Sequence, residues 1–325
     1  MADIIALGEI LIDLFSAQTG TSLAEAPGFI RAPGGAPANV AVGAAKLGKK
    51  SAFIGEVGND PFGDFLERTL RENGVETTQL KRSDKVHTTL AFVALRPDEK
   101  QDYCFYRNPG ADLELSPEDI SRDFISRGRI FHFGSLSLTD SPAREATFKA
   151  IEYAKTAGLT ISYDPNLRLS LWISEEQARE RIKEGLNVSD VVKVNREELL
   201  FITGEDSIES AVSMVLKHGV KIIFITQGKK ETAFALKDGN VYFVDTFKVN
   251  TVDTTGCGDA FMAAVLVQLH DIIGERGIDK VSEKELKSIV RYANGASAIT
   301  SLNIGAIPAL PDKKGVEEFL GRGEE

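Results

Sequence analysis

Short apolar, β-rich runs alternate with amphipathic stretches through most of this chain. Ile4–Leu7, Ala52–Ile54, Arg129–Phe133, Leu159–Tyr163, Val191–Val194 and Val220–Thr226 read as strands, with helical segments between them. Pro61–Asn73, ahead of Gly74, reads as one of those helices. The alternation predicts a mainly parallel sheet covered by helices on both faces. Two regions break it. Ile10–Phe15 alternates and is followed by a polar, Gly-containing stretch to Pro33, and His87–Leu95 and Asp102–Arg107 flank the polar turn Arg96–Gln101 as a β-hairpin. These strands do not fit a parallel βα series. The expectation is a single domain, 1–325, with a small separate sheet, formed by about residues 10–33 and 87–112, as a lid over the main body. An antiparallel extension of the main sheet is the alternative. No internal repeat, low-complexity tract or long linker is present.

With 325 residues the chain exceeds the roughly 250–300 at which one core stops growing easily, so one large domain with an appendage fits better than two halves. A net charge of −10 argues against nonspecific binding to nucleic acid or an anionic membrane. Any phosphate must then be held by local amides and a few cations. Met1–Ile5 has no basic region before its apolar run, so no signal peptide is expected, and no apolar run approaches the roughly 20 residues of a membrane span. Cys104 and Cys257 cannot build a disulfide framework, which fits a reducing cytoplasm. The four histidines lie far apart, with no ligand-type spacing, so no structural zinc is expected.

The chemistry concentrates at Asp253–Phe261. The turn Gly256-Cys257-Gly258 runs into a helix, Asp259 to about His270, that is apolar on nearly every face. Amides freed at a helix start, with the helix dipole, seat an anion. Asp259 would repel a phosphate there, and is either a first-turn helix acid or a base beside a transferring phosphoryl group. At the other end of the chain, Gly34 and Gly35 permit close approach of a ligand to the backbone, and Asn39 offers donor and acceptor together, as sugar hydroxyls require. A tight turn before a closely packed Ala/Gly helix explains the same residues. Gly43–Lys50 imitates Gly-x-x-x-x-Gly-Lys but has Lys50 in place of Ser or Thr and runs helix-to-strand, so it reads as a helix end.

Several single residues carry two readings. Asp13, flanked by apolar residues on a strand, serves as a ligand acceptor or as edge-strand protection. Phe105 and Arg107 share a strand face that suits covering a ligand, or form an ordinary hairpin with a solvated Arg. Asp164–Arg168 lies after a strand, where open α/β sheets place ligands, and equally makes a capping turn. Asn195 and Glu198 have the spacing of a capping box. Thr226-Gln227-Gly228 suits a nucleotide phosphate or ribose, or a simple turn.

Asp253–Phe261 resembles the C-terminal signature of the ribokinase-like (PfkB) carbohydrate kinases, where Asp-Thr-Thr-Gly-Ala-Gly-Asp-Ala-Phe is typical. Gly34–Ala41 resembles their N-terminal signature in its fructokinase form, and Phe105–Pro109 and Asp164–Arg168 also look like fructokinase segments. The resemblance spans essentially the whole chain. It implies a ribokinase-like three-layer α/β/α domain with a mainly parallel sheet and a small β-sheet lid, and an ATP-dependent sugar kinase acting on fructose O6. It implies that Asp259 is the base, that the amides of Gly256, Cys257 and Gly258 stabilise the transferring oxygens, and that Asp13, Gly34, Gly35, Asn39, Phe105, Arg107 and Arg168 bind sugar. Lys193, Asn195, Thr226, Gly228 and Asn294 would serve ATP, with Asn195 and Glu198 placing Mg2+ through water. Main-chain carbonyls around Asp253 and Thr255 would hold K+, with one hydroxyl ligand missing because Ala309 stands at its place. Cys257 replaces the usual Ala, and a thiol at a helix N-terminus is expected to have a lowered pKa, so that alkylating reagents slow the enzyme and ATP protects it. A lid-to-lid homodimer is also implied. A 2-keto-3-deoxygluconate kinase is the nearest rival, Tyr103, Tyr106, Arg107 and Arg168 being suited to a sugar acid, and an inactive sugar-sensing protein is the rival outside the kinases. No Gly-x-Gly-x-x-Gly follows the first strand, as a nicotinamide dehydrogenase would need.

Overall fold

The computed structural model describes residues 2–95 and 101–322, so Arg96–Lys100 of the expected hairpin turn lie outside the described residues. Thirteen strands are described: β1 (Ile4–Leu7), β2 (Leu11–Ser16), β3 (Phe29–Gly34), β4 (Ser51–Gly58), β5 (Val75–Ser83), β6 (Leu90–Leu95), β7 (Gln101–Tyr106), β8 (Ile130–Gly134), β9 (Thr160–Asp164), β10 (Val191–Asn195), β11 (Ile222–Thr226), β12 (Thr232–Leu236) and β13 (Val241–Val244). Nine form one sheet in the order β13-β12-β11-β10-β9-β8-β1-β4-β5. Its pairs are parallel from β11 to β5, and only β12 and β13 run antiparallel at one edge. The expected small sheet exists separately, in the order β3-β2-β6-β7.

The inner parallel strands are buried on both faces, as their unbroken apolar runs require. Helices Ala143–Thr156, Glu175–Leu186, Arg196–Thr203 and Ile208–Leu216 cover one face through Ala146, Ala150, Ile182, Leu199 and Val212. Helices Ala36–Lys46, Cys257–Arg276 and Glu283–Thr300 cover the other, where Val40, Met262, Leu266 and Val290 pack on Ile4, Ile130 and Phe224. Cys257–Arg276 runs past the expected end near His270 and, by length and hydropathy alone, is a helix that could cross a membrane. Its all-round apolarity has a simpler cause. Residues 259–267 are buried between the sheet and the helices beside it.

β1 is an inner strand of the large sheet, between β8 and β4. The chain leaves it toward β4 and β5 on one side and later returns to β8 through β11 on the other. That reversal opens a crevice at the carboxyl ends of the strands, where open α/β sheets gather their ligands.

Candidate active site

A cavity occupies that crevice. Its floor comes from strand ends and helix starts: Glu9 after β1, Asn166 and Arg168 after β9, Lys193 on β10, and Gly256, Gly258 and Asp259 at the start of Cys257–Arg276. Its roof is the small sheet, through Leu11, Asp13, Phe15, Val93, Tyr103 and Phe105. Strand alternation explains the roof. Asp13 pairs with Ala91 and Phe15 with Val93, while Phe105 lies opposite Ala91, so these positions share one face.

The turn ahead of Ala36–Lys46 reaches the cavity because Gly35 has φ +106, and a Cβ there would collide with the Glu9 carbonyl. Asn39 follows in the first helical turn. Its Nδ2 donates to Asp259 Oδ2 at 2.7 Å, while its Oδ1 is buried with no partner among the described residues. An acceptor left open beside a cavity suits a ligand hydroxyl. Asn166 Nδ2 lies 3.5 Å from the other Asp259 oxygen. Asp259 is therefore held from two sides, not solvated as a surface helix acid. Burial raises its pKa, opposed by the Asn39 hydrogen bond and by Lys193 and Arg168.

Gly256 takes a left-handed conformation, φ +78, and lies so close to Ala306 that a Cβ would stand 2.7 Å from that side chain. This turn presents the helix start to the cavity. Of the three amides expected in the anion seat, that of Cys257 is donated to the Thr254 carbonyl at 3.2 Å, leaving those of Gly256 and Gly258. A cation reinforces them. A Cβ on Gly258 would stand 2.7 Å from Lys193 Nζ, which is buried and donates to Asp164 Oδ2 at 2.9 Å. Burial works against the ammonium, but Asp164 and Glu198 outweigh it and raise its pKa. Lys193, expected on the nucleotide side, thus stands under the anion seat and lines the roofed cavity.

A second cavity adjoins the first and shares Thr254 and Gly258 with it. Thr226, Gly228, Thr251, Cys257 and Asn294 line it, which brings together three of the residues expected to serve ATP. Asn294 also has a structural role, since its amide accepts from Thr232 Oγ1 at 2.8 Å and donates to the Asp245 carbonyl at 3.0 Å.

Two expectations are corrected, at Arg107 and Cys257. Arg107 does not line the roofed cavity. β7 ends one residue before it, and its guanidinium is buried against Asp112, Thr139 Oγ1 and the Leu136 carbonyl. Asn195 and Glu198 line neither cavity. They form a capping box, and the second Glu198 oxygen accepts from Leu167 N at 2.8 Å, so both side chains hold the local backbone. Asp253 staples loops through Thr255 N, Thr255 Oγ1 and Gly305 N, which occupies its carboxylate. The Cys257 thiol is pushed up to about 11 by burial, with Asp253 and Asp259 acting in the same direction, so the expected sensitivity to alkylation loses its basis.

Glu9 and Asp164 received no role in the sequence reading. Glu9 is buried, accepts from Ala36 N at 3.0 Å and has its pKa raised to about 7 by burial. An acid directly after Gly8, between Ile4–Leu7 and Ile10–Ile12, was the signal for it.

Comparison with known proteins places the whole chain. Residues 1–313 match the model of the pfkB family carbohydrate kinases. The chain is 46% identical to a fructokinase of Solanum tuberosum, over 98% of this chain and 96% of that one. It is similar in structure to the fructokinase of Xylella fastidiosa with bound ATP, at TM-score 0.90 and 31% identity, covering 99% of each chain. A double mutant of the Vibrio cholerae O395 fructokinase, with fructose, ADP and potassium ion bound, superposes at TM-score 0.87 with 32% identity, covering 98% of each chain.

Proposed function

The chain belongs to the pfkB family of carbohydrate kinases, and from that premise we propose that it transfers the γ-phosphoryl group of ATP to O6 of D-fructose. The observation that carries this reading is the meeting of two cavities at Gly258, with the buried Asp259 lining the roofed one directly beside it. The roofed cavity takes the sugar: Asp13 and the open Asn39 Oδ1 accept from its hydroxyls, and Tyr103 and Phe105 of the lid cover it. The second cavity takes ATP, which enters as its magnesium complex. Asp259 removes the proton of the primary hydroxyl as that oxygen attacks the γ-phosphorus. A weak base suffices because the transition state is loose. The Gly256 and Gly258 amides and the Lys193 ammonium take up charge on the transferring oxygens.

A neutral acceptor fits better than a sugar acid. Of the two arginines suited to a carboxylate, Arg107 is already bound to Asp112, and Arg168, which does line the sugar cavity, shares it with the acids Glu9 and Asp13. An inactive sugar sensor would have no need of a base fixed at 2.7 Å by Asn39. The test is ADP release from Mg-ATP with separate panels of ketohexoses, aldohexoses, pentoses and 2-keto-3-deoxygluconate. D-fructose is expected to give the highest kcat/KM, and a preference for the sugar acid would overturn the substrate assignment.

The acid side of the pH profile follows from Asp13, whose pKa burial raises to about 7. Only the carboxylate accepts from two hydroxyls, so kcat/KM for the sugar falls as pH drops below 7, about tenfold per unit well below the pKa. Asp259, also raised, acts in the same direction. A profile measured from pH 5 to 8 that stayed flat to pH 5 would contradict this role for Asp13.

An aromatic row, Phe29–Phe92–Tyr106, runs across the lid face turned away from the cavity, with Tyr106 65% exposed. That row supports a homodimer through the lid. Light scattering at micromolar concentration is expected to give twice the chain mass, and a strictly monomeric mass would contradict it.

A further inference from the structure

Both arms of the lid hairpin end on one buried carboxylate. Thr89, just before β6, donates its hydroxyl to Asp112 Oδ1 at 2.5 Å. Arg107, just after β7, donates through Nε to Asp112 Oδ2 at 2.8 Å, and its Nη2 lies 2.6 Å from the same oxygen. The other arginine donors leave the lid. Nη1 reaches Thr139 Oγ1 and Nη2 reaches the Leu136 carbonyl, both at 2.9 Å, and Leu136 lines the sugar cavity. The backbone repeats the pattern, since Ala111 N donates to the His87 carbonyl at 3.0 Å and Ile12 N of β2 to the Thr89 carbonyl at 3.1 Å. Arg107 and Asp112 are 4% and 5% exposed. A Cβ on Gly110 would collide with Thr89 Oγ1 and crowd both Arg107 and Asp112, so the cluster has no slack.

An ion pair this deep is a poor way to gain stability, because apolar groups of the same shape often hold a core as well or better. What it supplies is direction. An arginine fork fixes angles as well as distance, and here it fixes the lid arms relative to the cavity wall at Leu136. We propose that Asp112 is a positioning residue that latches the lid hairpin over the sugar site through Thr89 and Arg107, and so holds Tyr103 and Phe105 where they exclude water from the transferring phosphoryl group. Its effect on turnover rests on the kinase reading above, whereas its effect on the lid does not.

Two measurements on the full chain test it, using Asp112→Asn, Arg107→Lys and the double variant Arg107→Met/Asp112→Leu. The first is hydrogen exchange without sugar. In Asp112→Asn, β6 and β7 should lose protection by about tenfold while β1 and β8 keep theirs. The second is the kinetic split. KM for fructose should rise about tenfold or more, KM for ATP should stay within about twofold, and ADP should exceed sugar phosphate as water becomes an acceptor. The double variant refills the core, so it should melt near wild type yet show the same fructose KM and the same excess ADP. Arg107→Lys keeps the charge without the fork and should restore neither. Unchanged lid protection in Asp112→Asn overturns the latch. So does a folded double variant with wild-type fructose KM and one ADP per sugar phosphate. If the wild-type chain phosphorylated no sugar, the kinase reading would fail, and lid exchange would still decide the latch.

Discussion

Asp259→Asn is expected to bind fructose almost as wild type does and to lose about 10²–10⁴-fold in kcat, the usual contribution of a positioned base. The geometry makes the split sharp. Asp259 lines the roofed cavity next to Gly258, where the two cavities meet, and is buried at the first turn of Cys257–Arg276. Asn39 grips one carboxylate oxygen at 2.7 Å and Asn166 approaches the other at 3.5 Å, so an amide of the same shape keeps the side chain near its place while removing the basic oxygen. An amide at Oδ2 would face Asn39 Nδ2 donor to donor unless it turned, so a modest change in sugar affinity is expected too. Titration calorimetry with fructose and single-turnover kinetics separate the two quantities. A variant that kept more than a few per cent of wild-type turnover would remove Asp259 from the role of base.

Lys193→Met carries the second large effect, and it divides into two parts. Loss of the ammonium beneath Gly258 should lower kcat by about 10²–10³-fold, as expected when one preorganised group at a developing anion is removed. The same change strands Asp164 in the core without its partner, which typically costs about 3–5 kcal/mol of stability. Adding Asp164→Asn removes the unpaired charge, so Lys193→Met/Asp164→Asn should recover most of the melting temperature and none of the turnover. Recovery of both would mean that Lys193 serves only the fold. Loss of neither would mean that the pair is dispensable.

The central layers were legible because parallel strands buried on both faces write themselves as unbroken apolar runs. The edges were not. β5 carries Glu76, Thr77, Thr78, Gln79, Lys81 and Arg82 along an exposed border, and β3 includes Pro33, which only an edge strand tolerates, so neither shows a hydrophobic signal. The site was legible where chemistry sits in consecutive residues, as at Gly256–Asp259 and Gly34–Asn39. It was obscure where long-range partners decide. Arg107 alternates in sequence with Phe105, yet an aspartate five residues on and a carbonyl 29 residues on draw it out of the cavity. Cys257 sits at a helix start, where the dipole favours a thiolate, but burial dominates and only the folded chain reveals it. Asn195 and Glu198 have the spacing of a cap, with a metal role implied only by the resemblance, and spacing gives no sign that Leu167 N takes the second Glu198 oxygen.

The central proposal is a phosphoryl group crossing from one cavity to the other at Gly258. Incubating the wild-type protein with Mg-ATP and D-fructose and identifying the product by phosphorus and carbon NMR tests that most directly. D-fructose 6-phosphate formed one-to-one with ADP is the predicted result; phosphate on another oxygen, or ADP released without sugar phosphate, would contradict it.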